Sequence, residues 1–414
     1  MIALPRLAAA LVAFRRSPAG RARVNVLLLT LCQALGMTGN NILATTAALV
    51  GYSLLVDKTW ATLPTALQMT GTMAAIVPAS LLMARLGRRT GFTIGATIGV
   101  AGAATAVLAI FRASFPLFCL GTFLLGSANG FAAYYRFAAA ETAQPAFRGK
   151  AISLVMGGGV AAAIFGPETA KWSRDLFDPV LYAGCYAMIV LFFLAGIALL
   201  RLVDIAPPLA PAARVPARPL RAIVGQPIFI VAASAGMIAY GMMSLVMTST
   251  PLAMLGCGLP FGDAAFVIQW HALGMYAPSF VTGHLIDRFG ATRVMLSGVV
   301  LLALCAATAL SGVALGQFWL ALLLLGIGWN FLFIGSTALL TEAYMPAERA
   351  KTQAANDFLI FGMVALSSFS SGVVLNGFGW SALNLLILPF AGAVLILLLL
   401  YRRWHGAARR RFAA

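Results

Sequence analysis

Met243 with Met247, and His271 with Met275, are two pairs of donor side chains, each pair four residues apart in a segment too apolar to sit in water. On a helix such residues share one face, about one turn apart. Each pair therefore aims two donors at one spot. Three thioethers and one imidazole form a soft set that suits Cu(I) far better than Mg²⁺ or Ca²⁺. Methionine alone decides little: with 16 Met in 414 residues a pair at this spacing arises readily by chance, and Met is a common packing filler. His271 carries more weight, because an ionisable residue in a membrane span is costly and marks a functional site by default. Its competing reading is a structural histidine, hydrogen-bonded across helices. Met69 and Met73 form a further pair, read either as auxiliary metal contacts or as packing. Met254 and Cys257 are placed to hand a soft ion inward toward Met247. Cys257 is the one cysteine of five near an aqueous loop. Cys32, Cys119, Cys185 and Cys305 read as small buried hydrophobes, and an odd count gives no disulfide framework.

The elements that position these groups must lie in lipid. Hydrophobic residues make up 61% of the chain, charged residues 9%, and the mean hydropathy is +0.95, whereas about a quarter of the residues of a soluble domain are charged. A crossing helix needs about 20 mostly apolar residues. Twelve such stretches are predicted, at 24–46, 61–84, 91–111, 115–138, 150–172, 180–203, 226–250, 261–285, 292–314, 317–340, 354–376 and 380–402. The runs are continuous and lack the period-two alternation of barrel strands, so the fold class is an all-α membrane protein.

Placing both termini in the cytoplasm leaves only Lys58, Arg112, Lys171 and Arg174 outside, out of 28 basic residues. That bias obeys the positive-inside rule. Topology and anionic lipid then account for the net charge of +17, and nucleic acid is not needed as a partner. Residues 1–23 read as a cytoplasmic amphipathic lead-in, 24–203 as one six-helix bundle, 204–225 as a Pro-rich cytoplasmic linker, 226–402 as a second six-helix bundle and 403–414 as a basic tail. The bundles repeat. Glu141, Pro145, Ala146, Arg148 and Lys150 recur as Glu342, Pro346, Ala347, Arg349 and Lys351, each displaced by 201 positions, as are Asn129 and Asn330. A second echo, displaced by about 203, joins Arg85-Leu86-Gly87-Arg88-Arg89 to the run from Gly283 to Gly290. Duplicated bundles joined by a linker suit an alternating-access transporter with its substrate near the bilayer midplane.

Gly283, Asp287, Arg288 and Gly290 match the G-x-x-x-D-R-x-G loop of the major facilitator superfamily, and the likeness in layout covers nearly the whole chain. The first copy departs from it, with Ser80 for the glycine and Ala84 for the aspartate. Within that superfamily the Met243/Met247 and His271/Met275 pairs resemble the CcoA-type copper importers, which supply copper for cytochrome c oxidase assembly in bacteria. The resemblance implies a secondary copper importer of the bacterial inner membrane: copper is the cargo, there is no cofactor, and the chain is not an enzyme. Related transporters without the metal pairs carry organic solutes such as riboflavin. A proton-coupled drug exporter and a membrane-bound copper chaperone or sensor are also compatible with the sequence. Gly157, Gly158, Gly159, Gly166 and Pro167 match the exporters' glycine-proline signature only loosely and suit close helix packing. Glu168 and Asp357 are possible proton carriers or ion-pair partners. Gln33, Asn40, Asn41, Asn129 and Asn330 either face the cavity or join helices. The sequence has no G-x-x-x-x-G-K-[ST] loop, so ATP is not expected as the energy source.

Overall fold

Backbone amides have no water to bond to in lipid, so each crossing must satisfy its own hydrogen bonds as a helix. The computed structural model describes residues 18–143, 148–205 and 218–413, and among them there is no strand. The helices of the first half are α1 (Pro18–Leu54), α2 (Leu63–Leu86), α3 (Arg88–Phe111), α4 (Phe115–Ala132), the short α5 (Tyr135–Thr142), α6 (Arg148–Ser173) and α7 (Ala183–Leu200). The second half comprises α8 (Leu220–Val224), α9 (Pro227–Gly256), α10 (Phe261–Tyr276), α11 (Ser279–Phe289), α12 (Ala291–Leu310), α13 (Leu315–Thr341), α14 (Arg349–Leu385) and α15 (Ile387–Ala413).

Nine stretches among the described residues are long and apolar enough to cross a membrane. One of them, Lys351–Arg403, is two crossings, divided at Gly379, whose φ of 81° breaks the helix. The glycine-rich α6 and the broken pair α10–α11 supply the other two of the twelve expected. The fourth and eighth crossings differ from expectation in being interrupted. Residues 261–285 do not form one helix, because Ala277 and Pro278 form a turn and Pro278 lacks an amide hydrogen for the ladder. Helical structure also runs beyond the expected bundles. Helix α1 is already formed at Pro18, within the predicted lead-in; α8 lies in the predicted linker; and α15 carries the predicted tail as helix to Ala413. Pro145, Ala146 and most of the 204–225 linker lie outside the described residues.

Lipid tails are as apolar as leucine, so helices here associate through close packing rather than through the hydrophobic effect. Glycines set that closeness. A side chain at Gly126 of α4 would collide with the Gln68 carbonyl of α2, and one at Gly326 of α13 would collide with the His271 carbonyl of α10. The repeat is visible in such contacts. A Cβ at Gly95 would strike Phe131, and one at Gly298, 203 positions on, would strike Leu332, 201 positions beyond Phe131. Gly87 and Gly290, also 203 apart, hold φ of 86° and 83° where α2 turns into α3 and α11 into α12. These left-handed values suit glycine and disfavour other residues.

Candidate substrate site at the seam between the halves

The two bundles meet chiefly where α2 lies on α14 and α6 on α10, with α1 against α9. These contacts are related by the repeat. A Cβ on Gly362 of α14 would sit 3.9 Å from the Met73 sulfur, and one on Gly159 of α6 would sit 3.4 Å from the Tyr276 ring. Both members of the pair are displaced by 203. At the end of the molecule away from the described termini, the α2–α14 seam is hydrogen-bonded: the Gly372 amide donates to Thr62 Oγ1 (3.1 Å), and Asn376 Nδ2 donates to Thr59 Oγ1 (3.0 Å). At that same end the other seam is aromatic. The Arg174 guanidinium lies 5.6 Å from the Tyr182 ring centroid and 5.2 Å from that of Phe261, and the two rings meet edge to face. Near the termini, Arg349 approaches the Phe137 ring at 6.0 Å, and Asp357 lies within Coulombic reach of Arg136.

Behind the seam the halves are furnished differently. In the first, Gln68 and Asn129 both donate to Asn40 Oδ1, Asn129 at 2.9 Å. In the second, Asn330 donates to the Met275 carbonyl (2.6 Å) and to Ser279 Oγ (2.7 Å) and accepts from Thr282 (2.6 Å), which ties together the interrupted α10 and α11. Beside it stands an aromatic group that sequence reasoning does not single out. Trp329 and Phe333 of α13 stack at 4.8 Å and 11°, Tyr240 of α9 stacks on Phe333 at 5.4 Å and 22°, and Phe361 of α14 and Tyr276 of α10 meet the group edge-on. Its one signal in the sequence is Trp329-x-x-x-Phe333, a one-turn aromatic pair beside the repeated Asn330. The Trp329 indole nitrogen is buried and has no hydrogen-bond partner among the described residues. A buried donor left unpaired costs about 1–3 kcal/mol.

The proposed metal ligands are distributed as follows. Met243 and Met275 belong to one buried apolar cluster of the second half, and half-buried Met247 packs against it. His271 is fully buried, and its Nδ1 lies 2.7 Å from the Leu322 carbonyl. A carbonyl only accepts, so Nδ1 holds the proton and Nε2 the lone pair. Nε2 has no partner among the described residues. By the displacement of 203, His271 corresponds to Gln68, which also bonds within its own bundle. Met73 faces Gly362 across the seam, and Met69 is half-buried. Met254 is fully buried in the core, while Cys257 is an exposed free thiol. Asp287 and Arg288 are exposed, and Arg288 lies over Phe289. Glu168 pairs with Lys171 at 3.6 Å on the exposed end of α6.

A family model of the Major Facilitator Superfamily matches residues 29–275 and 258–413. This chain belongs to that superfamily. It is 42% identical over 397 residues to the riboflavin transporter RfnT of Brucella anthropi, covering 94% of this chain and 98% of that one. It is 30% identical to the uncharacterized MFS-type transporter YdeG of Bacillus subtilis, over 90% and 89% of the two chains. A shorter match, 30% over 138 residues, links it to the drug efflux pump JefA of Mycobacterium tuberculosis. The chain is thus a multi-pass membrane transporter of this superfamily. Its copper-importer resemblance finds no support among these relatives.

Proposed function

We propose that this transporter carries riboflavin or a closely similar flavin across the bacterial inner membrane, by rocking of its two bundles about the seam. The observation that carries this reading is the 42% identity with a riboflavin transporter along 94% of the chain. The aromatic group of the second half adds chemical support, since a flat heteroaromatic cargo calls for flat apolar walls. The excess of basic residues at the end bearing the termini supports a cytoplasmic position for that end.

Purified protein in liposomes tests the proposal through uptake of labelled riboflavin. Saturable accumulation above empty liposomes is expected; its absence overturns the reading. Copper import is the second reading, favoured by the buried, unpartnered Nε2 of His271, which shares a helix with Met275 and a half of the molecule with Met243 and Met247. In that case the same liposomes accumulate Cu(I), and His271→Ala, or Met243→Ala with Met247→Ala, abolishes copper uptake and leaves flavin untouched.

A further inference from the structure

We propose that the cargo's ring system is held in the second half alone, against the half-buried aromatic group of Tyr240 and Phe333, with the Trp329 indole N–H as its hydrogen-bond donor. This assignment rests on the flavin reading above and adds to it where the ring sits and what recognises it.

Four observations lead there. First, three rings from two helices lie within 32° of parallel and each is 4.8–5.4 Å from the other two, so they form one compact cluster of similarly oriented rings rather than a herringbone filler. A further flat ring can stack, offset, against such a cluster. Second, the cluster is not sealed. Trp329 is 6% exposed, but Tyr240, Phe333, Phe361 and Tyr276 are only half-buried. On α9, the most enclosed crossing, Tyr240 shares its partly open face with Met247, seven residues and two turns on. A thioether there adds a favourable sulfur contact to an aromatic cargo. Tyr276 carries the group to the seam, where Gly159 of the other half leaves it room.

Third, the buried indole N–H has no acceptor among the described residues. The carbonyl oxygens and ring nitrogens of an isoalloxazine are acceptors that an indole N–H at the edge of the group can serve. No charged side chain belongs to the group, which suits a neutral cargo. Fourth, the fold does not require these rings. At the repeat positions displaced by 201, as for Asn129 and Asn330, Trp329 and Phe333 correspond to Ala128 and Ala132. The first half packs its fourth crossing without such rings, so close packing alone does not call for them.

Flavin fluorescence reads the site directly, because an isoalloxazine stacked on indole or phenol is quenched. Riboflavin titrated into the detergent-purified protein should be quenched. Lumiflavin, the ring without the ribityl chain, should compete, and ribitol should not. Tyr240→Leu and Phe333→Leu should each weaken binding about tenfold, as expected for one lost aromatic contact, and should relieve quenching. Trp329→Phe keeps the ring and removes only the donor. It should weaken binding severalfold while leaving quenching at saturation largely intact, a split that a packing role does not produce. Monodispersity on gel filtration checks each variant's fold. Riboflavin uptake by the parent protein together with unchanged affinity and quenching in all three variants overturns the site and leaves the flavin function standing. Competition by ribitol but not by lumiflavin also overturns it. No riboflavin uptake or binding by the parent protein removes both.

Discussion

Asn129 and Asn330 occupy the same place in the two halves, yet they are put to different use. Asn129 makes one bond to another amide, that of Asn40. Asn330 makes three, and they hold a helix that has been broken in two. Around Asn129 the neighbouring repeat positions are Ala128 and Ala132; around Asn330 they are Trp329 and Phe333. Duplication has kept glycine contacts and the left-handed turns, while α2 runs unbroken where its counterpart is split into α10 and α11, and the side chains near the seam have diverged into an amide side and an aromatic side. On the proposal above, the aromatic side is the recognising surface and the amide side the surface it moves against.

The shared scaffold should fail equally in both halves. Gly126→Leu and Gly326→Leu each drive a side chain into a carbonyl of the neighbouring helix, and both should eliminate folded protein, read as the monodisperse fraction after extraction in detergent. Survival of one but not the other would show that the halves do not share their packing. A smaller effect separates the asparagines. Asn330→Leu should cost about 3 kcal/mol and Asn129→Leu about 1 kcal/mol, by the number of buried bonds lost. Thermal unfolding of the two variants measures the gap, and equal losses break the contrast.

The two seams differ as the halves do. Thr62→Val removes the Gly372 hydrogen bond from the closure of the α2–α14 seam and leaves that of Asn376, and Arg174→Ala removes a cation held over two rings. Each should cost about 1 kcal/mol, which moves the ratio of open to closed states at that end about fivefold. Spin-label distances between α2 and α14, and between α6 and α10, report it. A shift confined to the altered seam would mean that the halves do not move as rigid bodies.

The smallest effect concerns pH. Glu348 is 1% exposed, yet two hydrogen bonds from the Arg218 side chain and one from the Met345 amide hold its carboxyl well below the usual range. A depressed carboxylate pKa contributes stability that is present above the unfolded value, near 4.3, and is lost as pH falls below it. The parent should therefore soften on acidification below about pH 4, and Glu348→Gln should be less stable at neutral pH and flatter over that window. A melting temperature with the same acid slope in both proteins would show that this pair does not set it.

Much of the fold is legible because lipid leaves few choices: apolar runs of crossing length must be helices, and the displaced Glu141–Lys150 and Glu342–Lys351 runs announce the duplication. The interruption at Ala277–Pro278 is less legible, since a proline inside a span is tolerated when neighbours re-satisfy the backbone, and here the neighbour is Asn330, more than fifty residues away. The candidate site is the least legible part. Met and His spacing announces a helix face but not what that face meets. The aromatic group stays hidden because its members come from four helices, and only Trp329 and Phe333 are close in sequence.

Arg218 has a consequence for anyone dividing this gene. Its amide and side chain bond to Glu348, its guanidinium also reaches the Ala343 carbonyl, and Lys351 reaches its carbonyl oxygen. Every one of those partners lies downstream. For complementation from two separately encoded fragments, the break belongs ahead of residue 218, so that the downstream polypeptide is born with its own clasp. Cutting a few codons later would strand the clasp on the upstream product and leave the Glu348 carboxylate buried without its cation.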